Sequence, residues 1–232
     1  MTVVRAITRG LGELFITAGL VILLFCAYQL FWTNVTADRA ADQVVSQLRD
    51  QWTRPGASAG PSATGPTAAP APPVVPLGDA LALMHIPRLG TGWVKPVVQG
   101  VDLPDLARGL GHYPKTAAPG EVGNFAVAGH RATNGEPLRE IDKIKKGDTI
   151  VVETATDWFT YVVDKHQIVA PTDVWVIEPV PGQPKAEATQ ALITLTSCEP
   201  RWASYKRWIV FGHLQSTMSK AAGTPAALAA GG

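Results

Sequence analysis

Between Leu14 and Val35 the chain carries no charged residue, and Leu20-Val-Ile-Leu-Leu-Phe25 within it is almost pure hydrocarbon. As a helix, such a run reaches roughly 33 Å, enough to cross the hydrocarbon core of a bilayer. Trp32 near its far end suits a headgroup layer, and Arg5 and Arg9 before it favour a cytoplasmic N-terminus. A cleaved signal peptide has a shorter apolar stretch of about 7–15 residues that ends at small side chains. The run therefore reads as an uncleaved single-pass anchor over 14–35, following a cytoplasmic start over 1–13. Everything after it is expected on the outer side of a cell membrane.

The second division is compositional. From Thr53 to Leu77 there are seven prolines, many Ala, Gly and Ser, and one charge, Arg54. Such a stretch buries too little apolar surface to fold, and proline biases it toward extended conformers. With residues 36–52, where Val44, Val45 and Leu48 have helical spacing, it reads as a stalk and tether over 36–78. One compact domain is expected over 79–217, and an Ala/Gly-rich tail expected to be disordered over 218–232. Lys and Arg number 20 against 19 Asp and Glu, so no basic surface calls for nucleic acid as a partner.

Within 79–217, runs rich in β-branched and aromatic residues recur between Gly, Pro and Asp turn signals. Strands are predicted at Ala82–Ile86, Trp93–Val98, Asn124–Ala128, Thr149–Glu153, Trp158–Ala170, Ala191–Thr196 and Arg207–His213. The segments from Pro104 to Arg108 and from Pro137 to Ile144 are predicted to be helical. Many strands and few helices make the class mostly β, an antiparallel barrel or sandwich.

Three of these segments carry chemistry. Asn124-Phe-Ala-Val-Ala-Gly-His130-Arg131 is an apolar strand ending in an imidazole. Ala191-Leu-Ile-Thr-Leu-Thr-Ser-Cys198-Glu-Pro is another, ending in a thiol. Tyr205-Lys-Arg207-Trp-Ile-Val-Phe-Gly-His213 begins a third strand, with Arg207 nine residues past the cysteine. The only other cysteine, Cys26, lies inside the anchor, where packing is the expected role. Cys198 is thus a lone thiol on an oxidising side, where pairing is the usual fate. Free thiols are mostly protonated at neutral pH and the thiolate is the nucleophile. An imidazole can hold that proton and later deliver one to a leaving amine. A fixed guanidinium can stabilise the oxyanion of a tetrahedral intermediate.

Thr194-Leu-Thr-Ser-Cys198 resembles the sortase signature Thr-Leu-x-Thr-Cys, with Arg207 at the family's spacing and His130, 68 residues upstream of Cys198, in its histidine motif. Gly111-His-Tyr113-Pro and Gly120-Glu-Val-Gly-Asn-Phe-Ala-Val-Ala-Gly-His-Arg131 most resemble the class E group of high-GC Gram-positive bacteria. The resemblance implies an eight-stranded β-barrel with short helices behind one transmembrane helix. It implies a cysteine transpeptidase that cleaves a C-terminal sorting signal between Thr and Gly. The acyl-enzyme thioester is then resolved by a peptidoglycan-precursor amine. In that scheme Cys198 is the nucleophile, His130 the acid/base and Arg207 the oxyanion or substrate stabiliser. Tyr113, Thr196 and Ser197 would touch substrate, and Leu-Ala-x-Thr-Gly would be preferred to Leu-Pro-x-Thr-Gly. The chain departs from the signature at Ser197, which keeps the hydroxyl of the usual Thr and loses its methyl.

Neither a cofactor nor a metal is expected, because His85, His112, His166 and His213 fall in no ligand-spaced cluster. Glu199 reads as a solvated turn carboxylate and Arg201 as a loop residue. Two other readings stay open. One is a different exported cysteine hydrolase, although a papain-like enzyme would place its cysteine before its histidine and an L,D-transpeptidase would have them close together in a Ser-His-Gly-Cys context, which is absent. The other is a non-catalytic anchored wall-binding module. Since every candidate lies after residue 79, residues 1–52 and the tether are expected to be dispensable for chemistry.

Overall fold

The computed structural model describes residues 2–28, 32–54 and 75–229. Most of the Pro-rich tether, 55–74, lies outside them. Helix α1 (Thr2–Ala27) holds a stretch, Val3–Ala27, long and apolar enough to cross a membrane. The helix begins upstream of the charge-free run, and residues 29–31 of that run lie outside the described residues. At its start, Arg9 pairs with Glu13 one turn on (2.9 Å) and the helix continues through both. Cys26 is exposed on α1 instead of packed.

Thr33 opens a second helix, α2 (Thr33–Thr53), with a different pattern. Ala37, Ala41, Val44 and Leu48 are buried, spaced four, three and four apart, which makes one narrow apolar stripe. That stripe lies on the barrel and does not stand free as a stalk. Asp38 pairs with Lys95 (2.9 Å), and Trp52 at the far end receives the Lys220 ammonium 4.2 Å from its ring centroid. The predicted helix supplied the right periodicity; the partner for its apolar face was not visible in sequence.

Eight strands close into a barrel: β1 (Ala80–His85), β2 (Val94–Gln99), β3 (Leu110–His112), β4 (Gly123–Ala128), β5 (Thr149–Glu153), β6 (Asp157–Val169), β7 (Ala191–Glu199) and β8 (Lys206–Ser219). Their order around the barrel is β1-β2-β3-β4-β7-β8-β6-β5. Alternation sends Phe125, Val127, Ile193, Leu195 and Val210 into a common core with Met84, Ile150 and Tyr161. On the outer face of β6 and β8 a smaller cluster forms from Val169, Ile209 and Phe211, covered by a 3-10 helix at Val174–Ile177.

The seven predicted strands are present. The strand missed is β3, whose three residues, Leu110, Gly111 and His112, are too few for a period. The predicted helix at Pro137–Ile144 is only a 3-10 turn, Ile141–Lys143. The tail also differs from expectation, because β8 runs on through Ser219 and Lys220 binds Glu153 (2.8 Å). Burial pushes Glu153 up, but hydrogen bonds from His85 and Lys220 outweigh it and hold the carboxyl below its usual range.

Candidate active site

The spacing between His130 and Cys198 has a structural meaning. Strands β4 and β7 pair in parallel from Gly123 opposite Ala191 to Ala128 opposite Thr196, a constant offset of 68 residues. The Gly129 amide donates to the Thr196 carbonyl (3.1 Å), which carries the ladder one step further. At the same offset His130 falls beside Cys198. Strand β8 returns antiparallel on the other side of β7, with Arg207 directly opposite Cys198. Three neighbouring strands therefore deliver imidazole, thiol and guanidinium at one end of the barrel.

Parity decides which way they face. Phe125, Val127, Ile193 and Leu195 point inward, so Ala126 and Ala128 on β4, with His130 two residues past its end, and Thr194, Thr196 and Cys198 on β7, belong to the outer face. Arg207 shares the face of Ile209 and Phe211 in the outer cluster. His130, Cys198 and Arg207 are all half-buried. The three side chains therefore belong to the barrel wall and not to its interior.

Burial lowers the His130 imidazole below its ordinary value, since a half-buried ring loses hydration of its charged form. The Asn134 amide nitrogen lies 3.3 Å from Nε2, where the neutral ring accepts. The Nη1 of Arg207 donates to the carbonyls of Ser204 and Lys206 (3.0 Å each). That anchors one branch of the fork and leaves Nε and Nη2 without a protein partner among the described residues. Tyr113, just after β3, places its hydroxyl 3.1 Å from Oγ1 of Thr196, so a phenol from one element meets the strand that carries the thiol.

Ser197 is on the opposite face. Its hydroxyl donates to the Gly129 carbonyl (2.8 Å) and is buried, so it ties the histidine strand to the cysteine strand. The hydroxyl retained from the family's Thr is what makes this tie. Beside it, Arg131 fills the barrel mouth. Its Nη1 donates to the Cys198 carbonyl (3.2 Å) and to Glu199, its Nη2 to Asp142 (3.0 Å), and its guanidinium carbon is 5.6 Å from the Trp208 ring centroid. Glu199 is thus the partner of a buried cation, not a solvated turn carboxylate. Arg201 binds Glu136 and lies over Trp202 (4.5 Å), which commits it to the loop and leaves the register position to Arg207. Arg131 was visible in sequence only as the residue after His130, with nothing to mark it as buried.

A family model for the sortase domain matches residues 84–215. The chain belongs to the sortase family. It is 40% identical over 229 residues to sortase SrtE1 of Streptomyces coelicolor, covering 95% of this chain and 61% of that protein, so it spans about three fifths of that relative's length. It is 36% identical over 216 residues to sortase SrtE2 of the same organism, covering 89% of this chain and 81% of that one. Among solved structures, sortase E from Streptomyces avermitilis superposes with a TM-score of 0.61 at 47% identity, over 66% of this chain and 99% of that chain. Sortase E1 from Streptomyces coelicolor, solved with a tripeptide in the active site, does so at 0.60 and 38%, over 65% and 97%. The class E resemblance read from the histidine and tyrosine motifs agrees with these relatives.

Proposed function

We propose that this sortase is a membrane-anchored cysteine transpeptidase with Cys198 as nucleophile, His130 as acid/base and Arg207 as oxyanion stabiliser. The observation that carries the reading is the register that lines the three up on adjacent strand ends. The Cys198 thiolate attacks the Thr carbonyl carbon of a sorting signal, and negative charge develops on its oxygen beside the free branch of Arg207. The intermediate collapses by breaking the Thr–Gly bond, with His130 protonating the departing Gly amine. The remaining thioester is attacked by an amine of a cell-wall precursor. His130 takes that amine's proton, and the thiolate leaves.

The substrates in this reading are secreted proteins with a Leu-Ala-x-Thr-Gly or Leu-Pro-x-Thr-Gly signal. Tyr113 and Thr196 reach the same outer face as the thiol, which supports their contact with substrate. Ser197 points away from it, which favours a bracing role. The bound tripeptide of the Streptomyces coelicolor relative occupies that protein's active site and supports a peptide ligand here. The apolar helix α1, long enough over Val3–Ala27 to cross a membrane, supports a single-pass anchor with the N-terminus cytoplasmic and the barrel outside.

The test is to incubate the full chain in detergent with a Leu-Ala-x-Thr-Gly peptide, with and without a diamine. Mass spectrometry should find an acyl adduct on Cys198 when amine is absent and peptide–amine product when it is present. A folded protein giving neither would favour a non-catalytic wall-binding module. Hydrolysis unaffected by amine would favour another exported cysteine hydrolase.

A further inference from the structure

The loop after His130 contains a conformation that it cannot hold cheaply by itself. Asn134, Gly135 and Glu136 have φ values of 52°, 76° and 43°, three successive residues in the left-handed region, two of them not glycine. That region is uncommon for residues with a Cβ, and it persists where surrounding structure over-determines it. The partners that do so come from two distant places. From the β7–β8 connection, Arg201 pairs with Glu136. From α2, 101 and 102 residues upstream, Asn34 accepts the Gly135 amide on Oδ1 (3.1 Å) and donates Nδ2 to Glu136 Oε1 (2.6 Å).

The contact is close as well as polar. A Cβ added to Gly135 would sit 3.2 Å from Asp38 Oδ1 and 3.4 Å from Ala37 Cβ, so the turn of the loop is pressed onto the first turns of α2. Within the same loop, Asn134 reaches His130 Nε2, and the Leu138 amide donates to the His130 carbonyl (3.0 Å). A continuous path of hydrogen bonds and backbone therefore runs from Asn34 to the imidazole. The charged groups around it are Asp38, Glu136, Arg139 and Arg201, with Arg131, Glu199 and Asp142 on the barrel-mouth side.

We infer that the helix following the membrane span is a working part of the active site, and that Asn34 is the positioning residue through which it holds the histidine loop. The inference rests on the acid/base role assigned to His130 above. It reverses the expectation that residues 1–52 are dispensable for chemistry. Asn34 touches no reacting atom and acts through Gly135, Glu136 and Asn134. Since only the residues from Tyr28 to Thr33 separate it from α1, the element that anchors the chain also orders its catalytic loop.

The test uses the full chain in detergent micelles or nanodiscs and compares Asn34→Ala with Ser46→Ala on the exposed face of α2. Asn34→Ala should lower kcat on the peptide about three- to tenfold with KM within twofold, the loss of hydrogen bonds worth a modest net amount. A relaxed loop hydrates His130 better, so the acidic limb of the kcat/KM profile should move to higher pH. Ser46→Ala should match the parent in both. If Asn34→Ala fails to fold, Asn34→Asp carries the same test, keeping the acceptor for Gly135 while setting a carboxylate against Glu136. A variant with reduced Tm but unchanged kcat and pH limb would show α2 to be a structural brace, and the inference would be wrong. Cys198→Ala runs alongside: if it still turns over peptide, it is the catalytic assignment that fails, whatever Asn34→Ala does.

Discussion

The outer and inner faces of the same three strand ends make a useful comparison. Outward, His130, Cys198 and Arg207 are half-buried, few of their polar atoms are committed to protein, and one guanidinium branch has no partner among the described residues. Inward, one residue along each strand, Arg131, Ser197, Glu199 and Trp208 form a packed plug, with both terminal nitrogens of Arg131 bonded. The period of two in a β-strand separates the proposed reactive set from a scaffold set without any change of element. The inner set holds the strands in register, and the register is what aligns the outer set. Chemistry and stability should therefore respond to mutation on opposite sides of one sheet.

The largest contrast should come from the two arginine positions, the imidazole and the thiol. Cys198→Ala should abolish thioester formation, and His130→Ala and Arg207→Ala should cut turnover by at least about 100-fold, each with little change in Tm. Arg207→Lys should rescue poorly, because a point charge does not reproduce a planar donor fork. Arg131→Ala should instead destabilise by about 3 kcal/mol by leaving Glu199 partly buried and unpaired, lowering Tm by roughly 10 °C. Calorimetry with turnover measured at matched folded fraction separates the two. An Arg131→Ala protein with parental Tm and a hundredfold loss of rate would break the comparison.

A pH series sharpens it next. His130 is held below its ordinary value, so kcat/KM should stay level as pH falls past neutrality and drop about tenfold per unit only below the reference value near 6.5. The sign for stability is the same. A folded-state value below the unfolded one means that the unfolded chain binds more protons in between, so stability falls as pH drops through that window. His112, also lowered by burial, adds to the loss. An acidic limb above pH 7 would contradict the burial of the ring.

Tyr113→Phe probes the outer face more gently. An alanine in the signal presents a backbone N–H that proline lacks, and the phenol oxygen can accept it. A net bond of about 0.5–1.5 kcal/mol corresponds to roughly two- to tenfold selectivity. The Ala-over-Pro ratio in kcat/KM should shrink by that factor while Cys198 alkylation by a small reagent is unchanged. A full preference in the mutant would remove Tyr113 from specificity.

Ser197→Ala is the mildest and tests the inner face. It strips the Gly129 carbonyl of its donor, at a cost of about 1 kcal/mol. Tm should fall by a few degrees and kcat by less than threefold. A loss as large as that of Arg207→Ala would place Ser197 among the substrate contacts instead.

Sequence alone settled much of this protein, because the signals involved are local. β-Branched runs bounded by turn residues located seven strands, and the helical spacing of Val44 and Leu48 marked part of the stripe that α2 buries. The lone Cys198, the strand-ending His130 and Arg207 nine residues on were legible because thiol, imidazole and guanidinium are rare enough in such positions to stand out. What sequence could not supply was anything that depends on which distant surfaces meet. A three-residue strand such as β3 has no period and exists only because β2 and β4 pair with it. The number 68 was visible between His130 and Cys198, but only the parallel pairing of β4 with β7 turns it into adjacency. Arg131, Glu199 and Asn34 look like ordinary surface residues until tertiary contacts bury or bond them. Hydrogen-bond partners a hundred residues apart leave no mark in a window of ten, whereas burial and charge pairing are set by the closed barrel as a whole.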